Sequence, residues 1–125
     1  MSFLFSGIDH VQLAAPAGCE PEVRHFFTGI LGWDEIPKPE ILKKRGGVWF
    51  QCGVQQVHIG VQNDFVPAKK AHPAFYVKGL RALRDHLIQQ NVHILDDDAR
   101  SDEGVARFYV NDPFGNRLEF MEHSS

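Results

Sequence analysis

Apolar periodicity divides this chain into elements in the order strand, helix, strand, strand, strand. That order occurs twice, and the opening strand and helix recur at an offset of about 62 residues. In residues 21–31, Val23, Phe26, Phe27, Ile30 and Leu31 fall at i, i+3, i+4, i+7 and i+8, one face of a helix. Pro21 suits its first turn and Gly32 its C-terminal stop. A second helix is predicted over about 80–90, with Leu80, Leu83, Leu87 and Ile88 as its stripe and Asn91 ending it in the left-handed region. Strands are expected at 8–15, 35–37, 47–52 and 56–62, then at 72–77, 92–95, 105–110 and 117–121. Asp112-Pro113-Phe114-Gly115 has the residue preferences of a type I turn, and Cys52-Gly53-Val54-Gln55 separates two strands tightly. One βαβββ unit alone would leave a sheet face bare. The expectation is therefore an α+β fold in a single domain, 1–125, made of two βαβββ modules at about 7–62 and 72–123. Their curved mixed sheets would surround a cleft, with the helices on the outer faces.

Composition narrows the class. Of 125 residues, 43% are apolar and 23% charged, which suits a globular domain that needs no disulfide or metal merely to fold. No apolar run approaches the length of a transmembrane helix, and residues 1–6 lack the basic region of a signal peptide. Thirteen basic against 16 acidic residues give a net charge of −3. The densest basic spots are Lys43, Lys44, Arg45 and the pair Lys69 and Lys70, which counts against nucleic acid or an anionic membrane as partner. Cys19 and Cys52 form neither a CxxC site nor a disulfide framework, and free thiols point to a reducing cytoplasm.

Strand alternation sorts the polar residues. Val11 and Leu13 share one face of the first strand, and His10, Gln12 and Ala14 the other. Val57, Ile59 and Val61 oppose His58, Gly60 and Gln62. Phe75 and Val77 oppose His72, Ala74 and Tyr76. Leu118 and Phe120 oppose Arg117, Glu119 and Met121. Each apolar set is the one expected beneath a helix, so His10, His58, His72 and Glu119 line the concave side. His10 and His58 are 48 positions apart and His72 and Glu119 are 47 apart, so the duplication places all four near one axis. Three imidazoles and one carboxylate suit one divalent transition ion, Zn²⁺, Ni²⁺, Fe²⁺, Mn²⁺ or Co²⁺, with positions left for water or substrate.

The stretches IDHVQLAAP, FFTGILGW, VHIGV, HPAFYVKGL and, most specifically, FYVNDPFGNRLEFME resemble the vicinal oxygen chelate superfamily, the glyoxalase/bleomycin-resistance/extradiol-dioxygenase fold. Together they span nearly the whole chain. In metal-dependent members the ligands come from the first and last strands of each module, which correspond here to His10, His58, His72 and Glu119. Glyoxalase I-like members usually carry Glu or Gln where this chain has His58. Many other members use two His and one Glu, which leaves His58 as a fourth ligand, an outer partner of the ligands or a proton shuttle. The resemblance implies a metal-dependent lyase or isomerase of the glyoxalase I type, acting on a small carbonyl compound or thiol adduct, with Glu119 as catalytic base. It also implies a homodimer. The alternatives are a metal-free binding protein of the bleomycin-resistance type and a thiol transferase of the fosfomycin-resistance type.

Candidate substrate contacts are Arg107 and Tyr109, which alternate on one strand face, and Trp49, which would wall the cavity. Lys38 and Arg45, on connecting segments, would cap its mouth. The run Asp96-Asp97-Asp98 with Asp102 and Glu103 lacks the pattern of a calcium loop and reads as a solvated loop. His25, His86, His93 and His123 are expected outside the site, and no base stands beside Cys52 in sequence.

Overall fold

A computed structural model describes residues 2–124, which form two compact units, one ending at Phe65 and the other starting at Val66. In the first unit β1 (His10–Ala15) leads into α1 (Glu20–Arg24), which continues as a π-helix, His25–Ile30. There follow β2 (Asp34–Ile36), a 3₁₀ helix (Glu40–Arg45), β3 (Val48–Cys52) and β4 (Gln55–Val61). The second unit comprises β5 (Ala74–Tyr76), α2 (Leu80–Gln89), β6 (Leu95–Asp96), a 3₁₀ helix (Ser101–Glu103), β7 (Val105–Asn111) and β8 (Arg117–His123). Each unit builds one four-stranded sheet, in the orders β1-β4-β3-β2 and β5-β8-β7-β6. In both, the first strand runs parallel to the last and the other neighbours are antiparallel. The α+β fold of two βαβββ modules is thus present, with the same topology in each half. No helix of the described residues is long and apolar enough to cross a membrane.

The apolar faces pack as alternation predicts. Val48, Phe50, Val57 and Ile59 of the first sheet and Val23, Phe26 and Phe27 of its helix are buried. The Phe27 ring lies 5.3 Å from Trp33 and 5.4 Å from Phe50. In the second unit Phe108, Val110, Leu118 and Phe120 are buried, as are Leu80 and Leu87 of α2. Each such side chain contributes about 1.5–3 kcal/mol. Ile88, expected in the stripe of α2, is instead 48% exposed. It directly follows Leu87, and adjacent helix positions are turned about 100° apart, so both cannot face one sheet squarely.

The helix expected over 21–31 changes winding halfway. Leu31 N–H bonds the Phe26 carbonyl five residues back at 3.0 Å, and the wider turn carries both Phe26 and Phe27 into the core. Over six residues, apolar spacing does not separate this winding from an α-helix. Gly32 stops it at φ 78°. The strand expected at 92–95 shrinks to Leu95–Asp96, where both carboxylate oxygens of Asp96 accept from Arg84 of α2 at 3.0 and 2.6 Å.

Two local devices set the registers on which the site depends. At the β7–β8 turn, the buried Asp112 carboxylate accepts from Phe114 N–H and Asn116 N–H at 2.9 Å each, and from Asn116 Nδ2 at 2.8 Å. Ahead of β3, Gly47 sits at φ 87° so close to β4 that a Cβ there would meet the Ile59 carbonyl oxygen at 2.0 Å. Its N–H donates to Glu20 Oε2 at 2.7 Å, which holds the Glu20 carboxyl below its ordinary 4.5.

Asp112→Ala leaves three N–H donors without their acceptor and is expected to cost roughly 2–3 kcal/mol in urea denaturation. Glu20 favours its charged form in the fold, so its contribution is full above pH 4.5 and is lost as pH falls through the depressed value. Glu20→Gln should therefore flatten the stability profile below pH 4.5, measured by denaturation at stepped pH.

Candidate metal centre

In the first unit, β4 lies between β1 and β3, with Gln12 and Trp49 directly beside His58. Alternation turns Val57 and Ile59 to the core and His58 to the opposite face, where it is 4% exposed. Its imidazole lies flat between two rings. Trp49 stacks on one side at 3.7 Å and 3°, and His10 on the other at 4.1 Å and 15°. Burial pushes His58 below its ordinary 6.5, with the neighbouring His10 and Lys38 working in the same direction and Asp9 opposing.

In the second unit, Ala74 and Tyr109 flank Glu119, and His72 stands two residues ahead of Ala74. This register repeats that of the first unit, where His10 stands two residues ahead of Gln12 beside His58. His72 Nε2 is 2.9 Å from Glu119 Oε1, and Tyr109 meets the His72 ring edge to face at 5.3 Å. Arg107 Nη1 donates to Glu119 Oε2 at 3.4 Å and its Nη2 to Asp97 Oδ2 at 3.2 Å. Among the described residues, neither unit gathers three His, Cys, Asp or Glu side chains into a metal-holding group; each presents a pair.

The donor chemistry of the pairs fits a transition ion. Every one of the three imidazoles has one nitrogen tied to an acceptor: His10 Nδ1 to Asp9 Oδ2 at 2.9 Å, His58 Nε2 to Gln56 Oε1 at 3.0 Å, and His72 Nδ1 to the Lys70 carbonyl at 2.8 Å. Such an acceptor takes the ring proton and leaves a lone pair on the other nitrogen, as outer partners of metal-bound histidines do. At His72 that nitrogen is directed at the Glu119 carboxylate. Two donors bonded to one ion at about 2.1 Å and at right angles stand about 3 Å apart, close to the 2.9 Å found here.

The other expected contacts divide. Lys38 donates to the Gly46 carbonyl and, with Trp49, lines a cavity of about 480 Å³ in the first unit. Arg45 ends the exposed 3₁₀ helix and is not part of that lining. Burial raises both the Cys19 and Cys52 thiols, which disfavours a reactive thiolate on either. Asp9 and Gln56 contact candidate donors and have no part in the sequence-based set, and Asp97, expected in a solvated loop, instead pairs with Arg107. Asp9 directly precedes His10 and Gln56 alternates with His58, so both were within reach; Asp97 contacts Arg107 only through the fold of a loop.

No protein-family model matches the sequence, and no curated protein does. Among solved structures, a glyoxalase family protein from Bacillus anthracis is 57% identical, with a TM-score of 0.95, over 99% of this chain and 100% of that one. Lactoylglutathione lyase from Agrobacterium tumefaciens is 20% identical, with a TM-score of 0.73, over 94% and 93%. The fosfomycin resistance protein FosX of Listeria monocytogenes is 15% identical, with a TM-score of 0.76, over 97% and 96%. With these last two the fold is what is shared.

Removing the indole that covers His58 should hydrate the imidazole and move its titration up toward 6.5. NMR titration of its ring protons in metal-free Trp49→Ala checks this, and an unchanged midpoint would show that Trp49 is not what dries the ring.

Proposed function

We propose, for a chain that belongs to the glyoxalase family of the vicinal oxygen chelate superfamily, the activity of a metal-dependent lyase or isomerase of the glyoxalase I type. Its substrate is a small carbonyl compound or a thiol adduct of one. The observation that carries the reading is the His72–Glu119 pair, 2.9 Å apart, with Lys70 orienting the imidazole and Arg107 the carboxylate. The proposed ligands are His10, His58, His72 and Glu119, a set suited to Zn²⁺, Ni²⁺, Fe²⁺, Mn²⁺ or Co²⁺. A divalent ion held by them supplies Lewis acidity, stabilising negative charge on a substrate oxygen.

The residues of the chain account for the rest. Glu119 takes the proton from the carbon beside the carbonyl and returns it to the neighbouring carbon, a transfer in which no atom is gained or lost. Arg107 holds one carboxylate oxygen and so fixes the orientation of the other, which faces His72. With His58 in place of a carboxylate, Glu119 is the one acidic group in the set, which assigns the base role to the second module. Trp49 and Tyr109 wall the substrate, with Lys38 and Arg45 as outer contacts. A homodimer in the cytoplasm completes the reading.

Purified without a His-tag, the protein is expected to carry about one divalent transition ion per set of four ligands by elemental mass spectrometry. Metal that persists when His72→Ala and Glu119→Ala are combined overturns the ligand assignment. His58→Ala should weaken metal binding by about tenfold or more in chelator competition. Glu119→Gln should abolish turnover of a hemithioacetal that the unaltered protein isomerises, and surviving turnover removes Glu119 as the base.

A further inference from the structure

The second unit carries a cation whose partner is unaccounted for. Arg117 opens β8 two residues before Glu119, so both side chains stand on the same face of the sheet, roughly 7 Å apart along the strand. Its guanidinium lies over the Tyr109 ring with its central carbon 4.5 Å from the centroid, and Tyr109 is itself the register partner of Glu119 and the edge-on neighbour of His72. Arg117 is only partly exposed. Other arginines here, Arg24, Arg84, Arg100 and Arg107, each bond a carboxylate. Among the described residues Arg117 has no ion pair and no hydrogen bond from its side chain; the ring is what positions it. Asp97 feels its charge, but that carboxylate is already taken by Arg107 and the Ala99 N–H.

The corresponding position of the first unit sharpens the point. Gln56 stands two residues before His58, as Arg117 stands two before Glu119, and Gln56 spends its side chain on orienting the donor. Arg117 does nothing of the kind. A guanidinium held over an aromatic ring by cation–π attraction spends none of its N–H groups on a hydrogen bond there, and the fork they form matches a carboxylate. On this face Arg107 and Arg117 stand against Asp97 and Glu119. Arg107 is engaged by both of these carboxylates, so Arg117 is the guanidinium left to an anionic ligand.

We propose that Arg117 binds a carboxylate of the substrate, so that the small carbonyl compound on which this protein acts is a carboxylic acid, such as a 2-oxo acid or its thiol adduct. Tyr109 then serves as the platform that fixes the guanidinium, and the acid group anchors the carbonyl beside His72 and Glu119. The proposal rests on the reading of the site as one for carbonyl substrates, but not on the metal.

The test titrates metal-free and metal-loaded protein with pyruvate and with its uncharged counterpart pyruvamide, following the Arg117 side-chain Nε–H resonance by NMR. Pyruvate is expected to bind more tightly than pyruvamide and to shift that resonance. Arg117→Gln should lower pyruvate affinity by about tenfold or more with pyruvamide unchanged, and Arg117→Lys should restore part of it. Both variants should keep the thermal midpoint and the metal content of the unaltered protein. Equal affinity for acid and amide, or pyruvate binding unaffected by Arg117→Gln, overturns the proposal. Failure of the metal assignment is read separately: an acid preference retained in metal-free protein and lost in Arg117→Gln leaves Arg117 in its role whatever the ligand analysis returns.

Discussion

The parallel contact between the first and last strands of each unit is what the candidate site depends on. β1 lies beside β4 and β5 beside β8, although most of a unit's sequence separates them. Parallel neighbours cannot be joined by a tight turn, so the chain crosses over through a helix, and that helix covers the apolar face of the sheet. The opposite face is left to polar side chains. In both units the pairing sets one donor two residues ahead of the position beside the other donor, His10 with His58 and His72 with Glu119. A one-residue slip would turn each donor into the core. The buried Asp112 turn and the contact of Gly47 with Ile59 protect the register, the first by hydrogen bonds and the second by the absence of a side chain.

The two donor pairs share a register but differ in chemistry. His58 is dry, stacked between Trp49 and His10, and favours its neutral form, which is the form that offers a lone pair. Glu119 is buried as well, yet it is met by an imidazole on one oxygen and a guanidinium on the other. One half of the duplicated frame therefore offers two imidazoles, and the other pairs an imidazole with a carboxylate. A symmetric frame thus carries unlike occupants without any change of backbone.

Aromatic rings play matching parts in the two halves. Trp49 is the register partner of His58, and Tyr109 of Glu119. Trp49 stacks on an imidazole, whereas Tyr109 lies beneath a guanidinium and stands perpendicular to the His72 ring. Arg107 and Arg117 lie on the same sheet face and have different tasks. Arg107 is bound to two carboxylates and braces Glu119, while Arg117 is positioned by a ring alone.

The sequence by itself determined the module order, the face of each strand and the four donor candidates, because strand alternation and apolar spacing are local properties written in adjacent residues. His10, His58, His72 and Glu119 were legible from alternation and from a shared spacing, and Asp112-Pro113-Phe114-Gly115 from turn chemistry. Tertiary structure decided what depends on groups distant in the chain. The stack of Trp49, His58 and His10 joins three strands, and the Arg107 link between Asp97 and Glu119 joins a loop to two more. The π-winding of His25–Ile30 and the outward turn of Ile88 were also settled there, since a helical stripe marks apolar residues without saying which of them the sheet has room to bury. Which cations find a carboxylate and which, like Arg117, do not is a matter of where side chains end, and no spacing rule contains that.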